Sequence, residues 1–324
     1  MVLADTWCFG SGRCHHAFST FKGRSDCYMQ GLVNRLLSLA NKLEPIRWLA
    51  PVAIAVAFCL VSCQPSEPSG IVAGSAHIES IVRELYKGPV THTLIPGAMC
   101  PGHYDIRPDA LTALAGCRAV IIHDWQTHMG NIEGALRAAQ VSENKIHVIQ
   151  IQENWMLPDI QAKAVGAVTE ILRKIDPACA DEVLRTSASR LKTIEDFAKL
   201  TRARLNEAEI AGTKVIANEM QAPLSRWIGL DVVATYGRPE ELSVADMEQI
   251  VRSARETRAV LFIDNLQSGD VSIGETLARD ADCVHVVLSN FPGGFDDTGT
   301  WEKALQRNIE LLTQAIHESQ ASHG

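Results

Sequence analysis

No basic cluster longer than a dipeptide such as Arg173-Lys174 occurs in this chain, and its formal charge is −8. Nucleic acid is thereby excluded as a partner, since its recognition needs a concentrated footprint of Lys and Arg. An anionic protein of this kind still binds cations. Long apolar runs are also lacking: the longest, Trp48 to Cys63, is shorter than the ~20 residues a helix needs to cross a bilayer and is interrupted by Pro51. Cysteine is sparse after that run, with only Cys100, Cys117, Cys179 and Cys283, too scattered for a disulfide scaffold. Neither a phosphate-binding P-loop, nor a GxSxG elbow, nor an HExxH helix is present, which removes ATP hydrolysis and the commonest hydrolase chemistries. With 46% hydrophobic residues the chain has enough apolar material for a substantial core.

The run WLAPVAIAVAFCLVSC follows Arg47 and matches the apolar core of an export signal. Its last four residues, Leu-Val-Ser-Cys, resemble the lipobox of bacterial lipoproteins, which implies acylation of Cys63 and an extracytoplasmic chain anchored to the membrane by lipid. Residues 1–62 are read as an N-terminal extension and signal peptide. The extension holds Cys8, Cys14, Cys27, His15 and His16 in no usual zinc spacing, and initiation at an internal methionine such as Met29 explains it more simply. Residues 63–70 (CQPSEPSG) read as a flexible tether.

From Ile71 onward short β-branched runs alternate with helical patterns. IVAGS (71–75), VTHTLI (90–95), AVIIH (119–123) and IHVIQI (146–151) are predicted strands, and KVIAN (214–218), DVVAT (231–235), AVLFID (259–264) and CVHVVLS (283–289) repeat the rhythm. That alternation predicts βαβ units: an N-terminal α/β lobe at 71–175 and a C-terminal α/β lobe at 212–324, each with a parallel-type sheet. Between them, 176–211 opens with Asp176-Pro177 and then lacks proline and glycine until Gly212, the pattern of one long linking helix. Its rows Leu184, Leu191, Ala198, Leu205 and Ser187, Ile194, Thr201, Ala208 form one narrow apolar stripe, suited to a strut lying against both lobes.

In parallel sheets ligands bind beyond the carboxyl ends of the strands. Those positions carry Cys100 and His103, His123 with Asp124 and Trp125, Glu153 and Asn154, Asn218 and Glu219, Asp264 and Asn265, and Ser289 and Asn290. Imidazole, carboxylate and thiolate donors converging there suit zinc or manganese. The Gly/Pro-rich loop PGAMCPGHYD (96–105) presents Cys100 and His103 with little conformational freedom. Bland readings stand beside these: Cys100 packing as a small apolar residue, His123 hydrogen-bonded in the core, Asp264 capping a helix. His77, His92, His128 and His285 are read as structural, and the tryptophans as core by default.

The order of signal, α/β half, long helix and second α/β half resembles the metal-specific class of ABC-transporter solute-binding proteins, the zinc and manganese binders. The phrases that carry this are IVAGSAHIESIVRELYKGPVTHTLIPGAMCPGHYDIRPDALTALAGCRAVII, NWMLPDIQAKAVGAVTEILRKIDPACADEVL and KVIANEMQAPLSRWIGLDVVATYGRPEELSVADMEQIVRSARETRAVLFIDN. The resemblance implies a non-enzymatic carrier that captures a divalent metal, Zn2+ favoured with Mn2+ as the alternative, and delivers it to a membrane permease driven by a separate ATPase. By position the family's ligands fall on His103, on Asn154, on Asn218 or Glu219, and on Asn290. Two are neutral amides, poor ligands for transition metals. The expected site is therefore rebuilt from His103, Glu219, Cys100, His123 and Asp264, with Asn154, Asn218, Asn290 and Trp125 lining the cleft. Alternatively the same fold takes a metal chelate or a small organic molecule. A metal-dependent extracytoplasmic enzyme using His103 and Glu219 is the third reading.

Overall fold

The computed structural model describes residues 69–323; the signal run, Cys63 and residues 64–68 of the tether lie outside the described residues, whereas Ser69 and Gly70, expected in the tether, begin the first strand. In the first lobe β1 (Ser69–Ser75), β2 (Val90–Ile95), β3 (Cys117–His123) and β4 (Ile146–Ile149) form a parallel sheet in the order β2-β1-β3-β4. In the second lobe β5 (Lys214–Asn218), β6 (Asp231–Tyr236), β7 (Leu261–Asn265) and β8 (Val284–Leu288) repeat it as β6-β5-β7-β8. The fold is thus two parallel-sheet α/β lobes with a long helix in the chain between them, as the strand spacing predicts.

Central strands are buried on both faces, which is why they read as unbroken apolar runs rather than alternating ones. Ile71, Val72 and Ala73 in β1, Val120 and Ile121 in β3, and Val215, Ile216 and Ala217 in β5 are all closed to solvent or within 1% of it. Each such aliphatic side chain contributes roughly 1.5–3 kcal/mol. Helices cover the sheets. α1 (Ala76–Leu85) starts where Ser75 caps the backbone N–H of Ile78 and buries Ile78, Ile81, Val82 and Leu85. α2 (Pro108–Ala115), α3 (Gly130–Ala138) and α4 (Pro158–Ile175) complete the first lobe. α6 (Ala222–Ile228), α7 (Val244–Thr257), α8 (Ser272–Ala281) and α9 (Trp301–His323) complete the second.

The long helix, α5, spans Ala180–Glu207 and not the whole of 176–211. Pro177 begins a separate 3-10 turn at Pro177–Cys179, so the helix is 28 residues, about 42 Å at ~1.5 Å per residue. Its buried side is also narrower and more polar than the sequence rows imply. Ser187, Ile194, Thr201 and Leu205 face inward together with Val183 and Arg190, while Leu184 and Leu191 stand at the exposed edge. Arg190 ion-pairs with Glu84 of α1 at 2.5 Å and with Glu302 of α9, so one guanidinium ties the helix to both lobes. Thr169 of α4 donates to Ser187 at 2.8 Å. A single apolar cluster includes Ile71 and Val168 of the first lobe, Val183, Ile194 and Leu205 of α5, and Val215, Leu261 and Trp301 of the second. Among the described residues no helix is long and apolar enough to cross a membrane.

Candidate functional site

The strand order of each sheet reverses between its first and third strands, the place past which parallel sheets carry their ligands. In the first lobe that place is filled by Ser75 and His123, both buried. The His123 ring stands with Nε2 2.7 Å from Ser75 Oγ, stacks on Trp125 with centroids 5.0 Å apart, and leans on Trp155 at 4.2 Å. Its backbone N–H donates to Gln126 Oε1, and Gln126 in turn donates to the carbonyl of Gly74. A side chain at Gly74 would meet Gln126 Oε1 at 2.3 Å, so only glycine admits this arrangement.

Two residues beyond β1, His77 is buried and donates from Nε2 to the carbonyl oxygen of Asn290 in the second lobe at 2.6 Å. Since a carbonyl only accepts, this neutral ring carries its proton on Nε2 and leaves Nδ1 as a bare lone pair. Burial pushes the His77 pKa down to about 4 and, together with the neighbouring His77, that of His123 well below the ordinary histidine range. Both imidazoles are therefore neutral at physiological pH. The Nδ1 atoms of both are buried without a hydrogen-bond partner. His77 was read from the sequence as a structural helix starter; its reach across the cleft, over a separation of 213 residues, leaves no local pattern to find.

In the second lobe the corresponding place is lined by amides. Asn218 donates to the carbonyl of Gly237 and accepts from the N–H of Met220; Gln221 donates to Asn265 Oδ1 and to the carbonyl of Leu288. Gln267 donates to Ser289 Oγ and accepts from the N–H of Asn290. The loop 96–105 of the first lobe is pinned on both sides. Asn131 donates to the carbonyls of Pro101 and Tyr104, and from the other lobe Gln267 donates to Gly97 O at 2.7 Å. A Cβ on Gly97 would lie 2.0 Å from Pro292 O, so the lobes touch backbone to backbone there.

His103 is exposed on that loop, with its ring against Gly269 of the second lobe: a Cβ there would lie 3.6 Å from His103 Nδ1. Neighbouring Gly102 packs beside the Arg238 guanidinium, and Gly237 beside the carboxylate of Glu219. His103 and Glu219 follow strand ends, the one in the first lobe and the other in the second, and Glu241 stands closer to Gly237 than Glu219 does. Half-buried Cys100 shares a turn with His103, whose N–H donates to the Cys100 carbonyl at 3.2 Å. His123 and Asp264 lie elsewhere. His123 is buried at the first lobe's strand ends, and Asp264 is buried with its carboxylate 3.0 Å from His285 Nε2 and pressed on Gly274 of α8. Among the described residues no group of three or more His, Cys, Asp or Glu side chains stands close enough together to hold a metal ion, so the five expected donors do not form one coordination sphere in this arrangement. Asn154 and Asn290 meet directly, Asn154 Nδ2 donating to Asn290 Oδ1 at 2.9 Å. Trp155 packs on both buried imidazoles and its carbonyl accepts from Trp301 Nε1.

No curated protein matches the chain in sequence. Solved structures match its fold. A zinc-bound deletion mutant of ZnuA is similar over 77% of this chain and 98% of its own length, with 16% identity and a TM-score of 0.61. Another structure of ZnuA gives 17% identity and a TM-score of 0.61, with 77% and 99% covered. A periplasmic metal-binding protein from Candidatus Liberibacter asiaticus gives 11% identity and a TM-score of 0.63, with 76% and 99% covered. The profile of the family described as zinc-uptake complex component A, periplasmic, matches residues 71–315, nearly all of the two lobes. That family is one of solute-binding transport proteins and not of enzymes. Two lobes of identical strand order, a long helix between them and a match running from the first strand into the last helix place this chain in the periplasmic zinc-uptake component family.

Proposed function

We propose that this chain is the extracytoplasmic solute-binding component of an ABC importer and that its solute is a divalent transition metal, zinc before manganese, bound in the cleft between the lobes and handed to a membrane permease whose energy comes from a partner ATPase. What supports this reading is the pinning of the loop 96–105 to the second lobe by Gln267 and the packing of the His103 ring beside Gly269, with Glu219 at a strand end of that same lobe. Imidazole and carboxylate are ordinary zinc donors, and the Cys100 thiol in the same turn as His103 is soft, which favours zinc over manganese. Acylation at Cys63 after removal of the leader holds the protein at the membrane, facing the permease, and the envelope is its compartment.

One observation favours a second reading, in which the metal arrives already chelated or the solute is a small organic molecule. The cleft interior offers amides and aromatic rings, Asn154, Asn290, Trp125, Trp155 and Phe291, instead of additional anionic donors. Equilibrium dialysis against micromolar zinc and manganese followed by elemental analysis separates the two. Stoichiometric zinc supports the first; a protein that stays metal-free yet retains an organic compound from extract supports the second. Turnover of a hydrolysable substrate, lost on His103→Ala, is the result that would move the protein into the enzymes.

A further inference from the structure

Three of the bonds between the lobes meet on two amides. Asn154, at the end of the first sheet, uses both hydrogens of its Nδ2 on the second lobe, donating to Met220 O at 2.7 Å and to Asn290 Oδ1 at 2.9 Å. Its Oδ1 accepts from the N–H of Met156. Asn290 is equally committed. Its N–H donates to Gln267 Oε1 at 2.9 Å, its carbonyl accepts from His77 at 2.6 Å, and its Nδ2 stands 3.4 Å from Met220 O. Every side-chain polar atom of the pair has a protein partner, three of the pair's contacts cross between the lobes, from Asn154 to Met220 and Asn290 and from His77 to Asn290, and no charge is involved.

A cation cannot enter this arrangement cheaply. An N–H···O contact of 2.9 Å leaves no space between the two groups, and the oxygens that face the centre, Asn290 Oδ1 and Met220 O, already receive amide hydrogens. A divalent ion would have to break both bonds and would meet neutral donors whose positive ends point at it.

We propose that Asn154 and Asn290 form a neutral lock that joins the lobes directly and decides what the cleft admits: the centre refuses a bare divalent cation, which is left to donors outside it, His103 and Glu219. This rests on the reading of the chain as a metal carrier only for those donors; the lock itself does not. It makes Asn290 a specificity-determining residue. Replacing its Nδ2 by a carboxylate oxygen keeps the acceptor for Asn154, removes the donor toward Met220 O, and leaves a charge that a divalent ion would neutralise with that same carbonyl.

The test uses the full chain in three forms, wild type, Asn290→Asp and Asn290→Ala, each checked for folding by circular dichroism, with Asn154→Asp held as the second charged variant in case the first does not fold. Zinc chloride is the probe in calorimetry, and amide hydrogen exchange of residues 153–157 and 218–221 after EDTA treatment reads the junction. The expected results are a gain of at least about tenfold in zinc affinity for Asn290→Asp, none for Asn290→Ala, and faster exchange on both flanks in Asn290→Ala. Unchanged exchange in Asn290→Ala would overturn the lock, and unchanged affinity in the charged variants would overturn its role in selection. Wild-type protein that binds no zinc at all defeats the metal-carrier reading, while the exchange data and the gain in the charged variants still decide the lock.

Discussion

The two lobes share one strand order and differ in the chemistry at their strand ends. At the crest of the first lobe stand imidazoles and indoles, His77, His123, Trp125 and Trp155, almost all closed to water. At the crest of the second stand amides, Asn218, Gln221, Asn265, Gln267 and Asn290, bonded mostly to one another and to carbonyls. The architecture has been used twice and its rim equipped separately each time, because strand order is fixed by buried aliphatic runs whereas the residues just past each strand are free to vary.

The junction between the lobes can be broken most severely at α5. Arg190→Ala strands the carboxylates of Glu84 and Glu302 in a largely buried place, where burial already holds the Glu84 carboxyl above its ordinary pKa. The expected loss is about 3–5 kcal/mol of unfolding free energy, measured by urea titration; a loss under ~1 kcal/mol would show that the pair braces neither lobe.

Acid should affect the imidazole crest first. His77 has a folded pKa of about 4 against an ordinary 6.5, so the unfolded chain takes up the proton first and stability falls as pH descends from about 6.5 to about 4. Above that window the full stability is present; across it His77 alone accounts for roughly 3 kcal/mol. Unfolding midpoints recorded from pH 7 to pH 4 should drop steeply in wild type and less steeply in His77→Gln, where His123 and His147, whose burial also lowers their pKa, still contribute. Identical slopes would mean that His77 is protonated in the folded protein.

On the functional side, each lobe should contribute one rim donor. His103→Ala and Glu219→Ala are each expected to weaken zinc binding by about a hundredfold in calorimetry, whereas His285→Ala, whose ring serves Asp264, leaves it within about twofold. A Glu219→Ala variant with wild-type affinity would remove the second lobe from the rim. The smallest effect sharpens the contrast between the crests: Ser75→Ala removes both the cap of α1 and the partner of His123, for about 1–2 kcal/mol, read as a lower thermal midpoint.

Much of this fold is legible in the sequence because its signals are local. The runs at 90–95 and 214–218 are strands at those bounds, and the remaining predicted strands deviate by no more than two residues at either end. Pro177 was expected to open the long helix; it opens a separate turn before it, since a fixed φ favours any helical start without fixing which one. The rim is half legible. Reading the residues past each strand singles out Asn154 and Asn290, which meet between the lobes, because the parallel sheet dictates that address. It misses His77 and Gln267, whose roles depend on partners 213 and 170 positions away, and the carbonyl of Met220, which no side-chain pattern announces.

The apolar cluster that passes from Ile71 through Ile194 of α5 to Trp301 has a thermodynamic consequence. Halves that share their interior cannot melt independently, so a calorimetric scan should record one endotherm with equal calorimetric and van't Hoff enthalpies where a hinged pair would give two. A solute held between the lobes would then be let go by small movements of loops, and not by the lobes swinging apart.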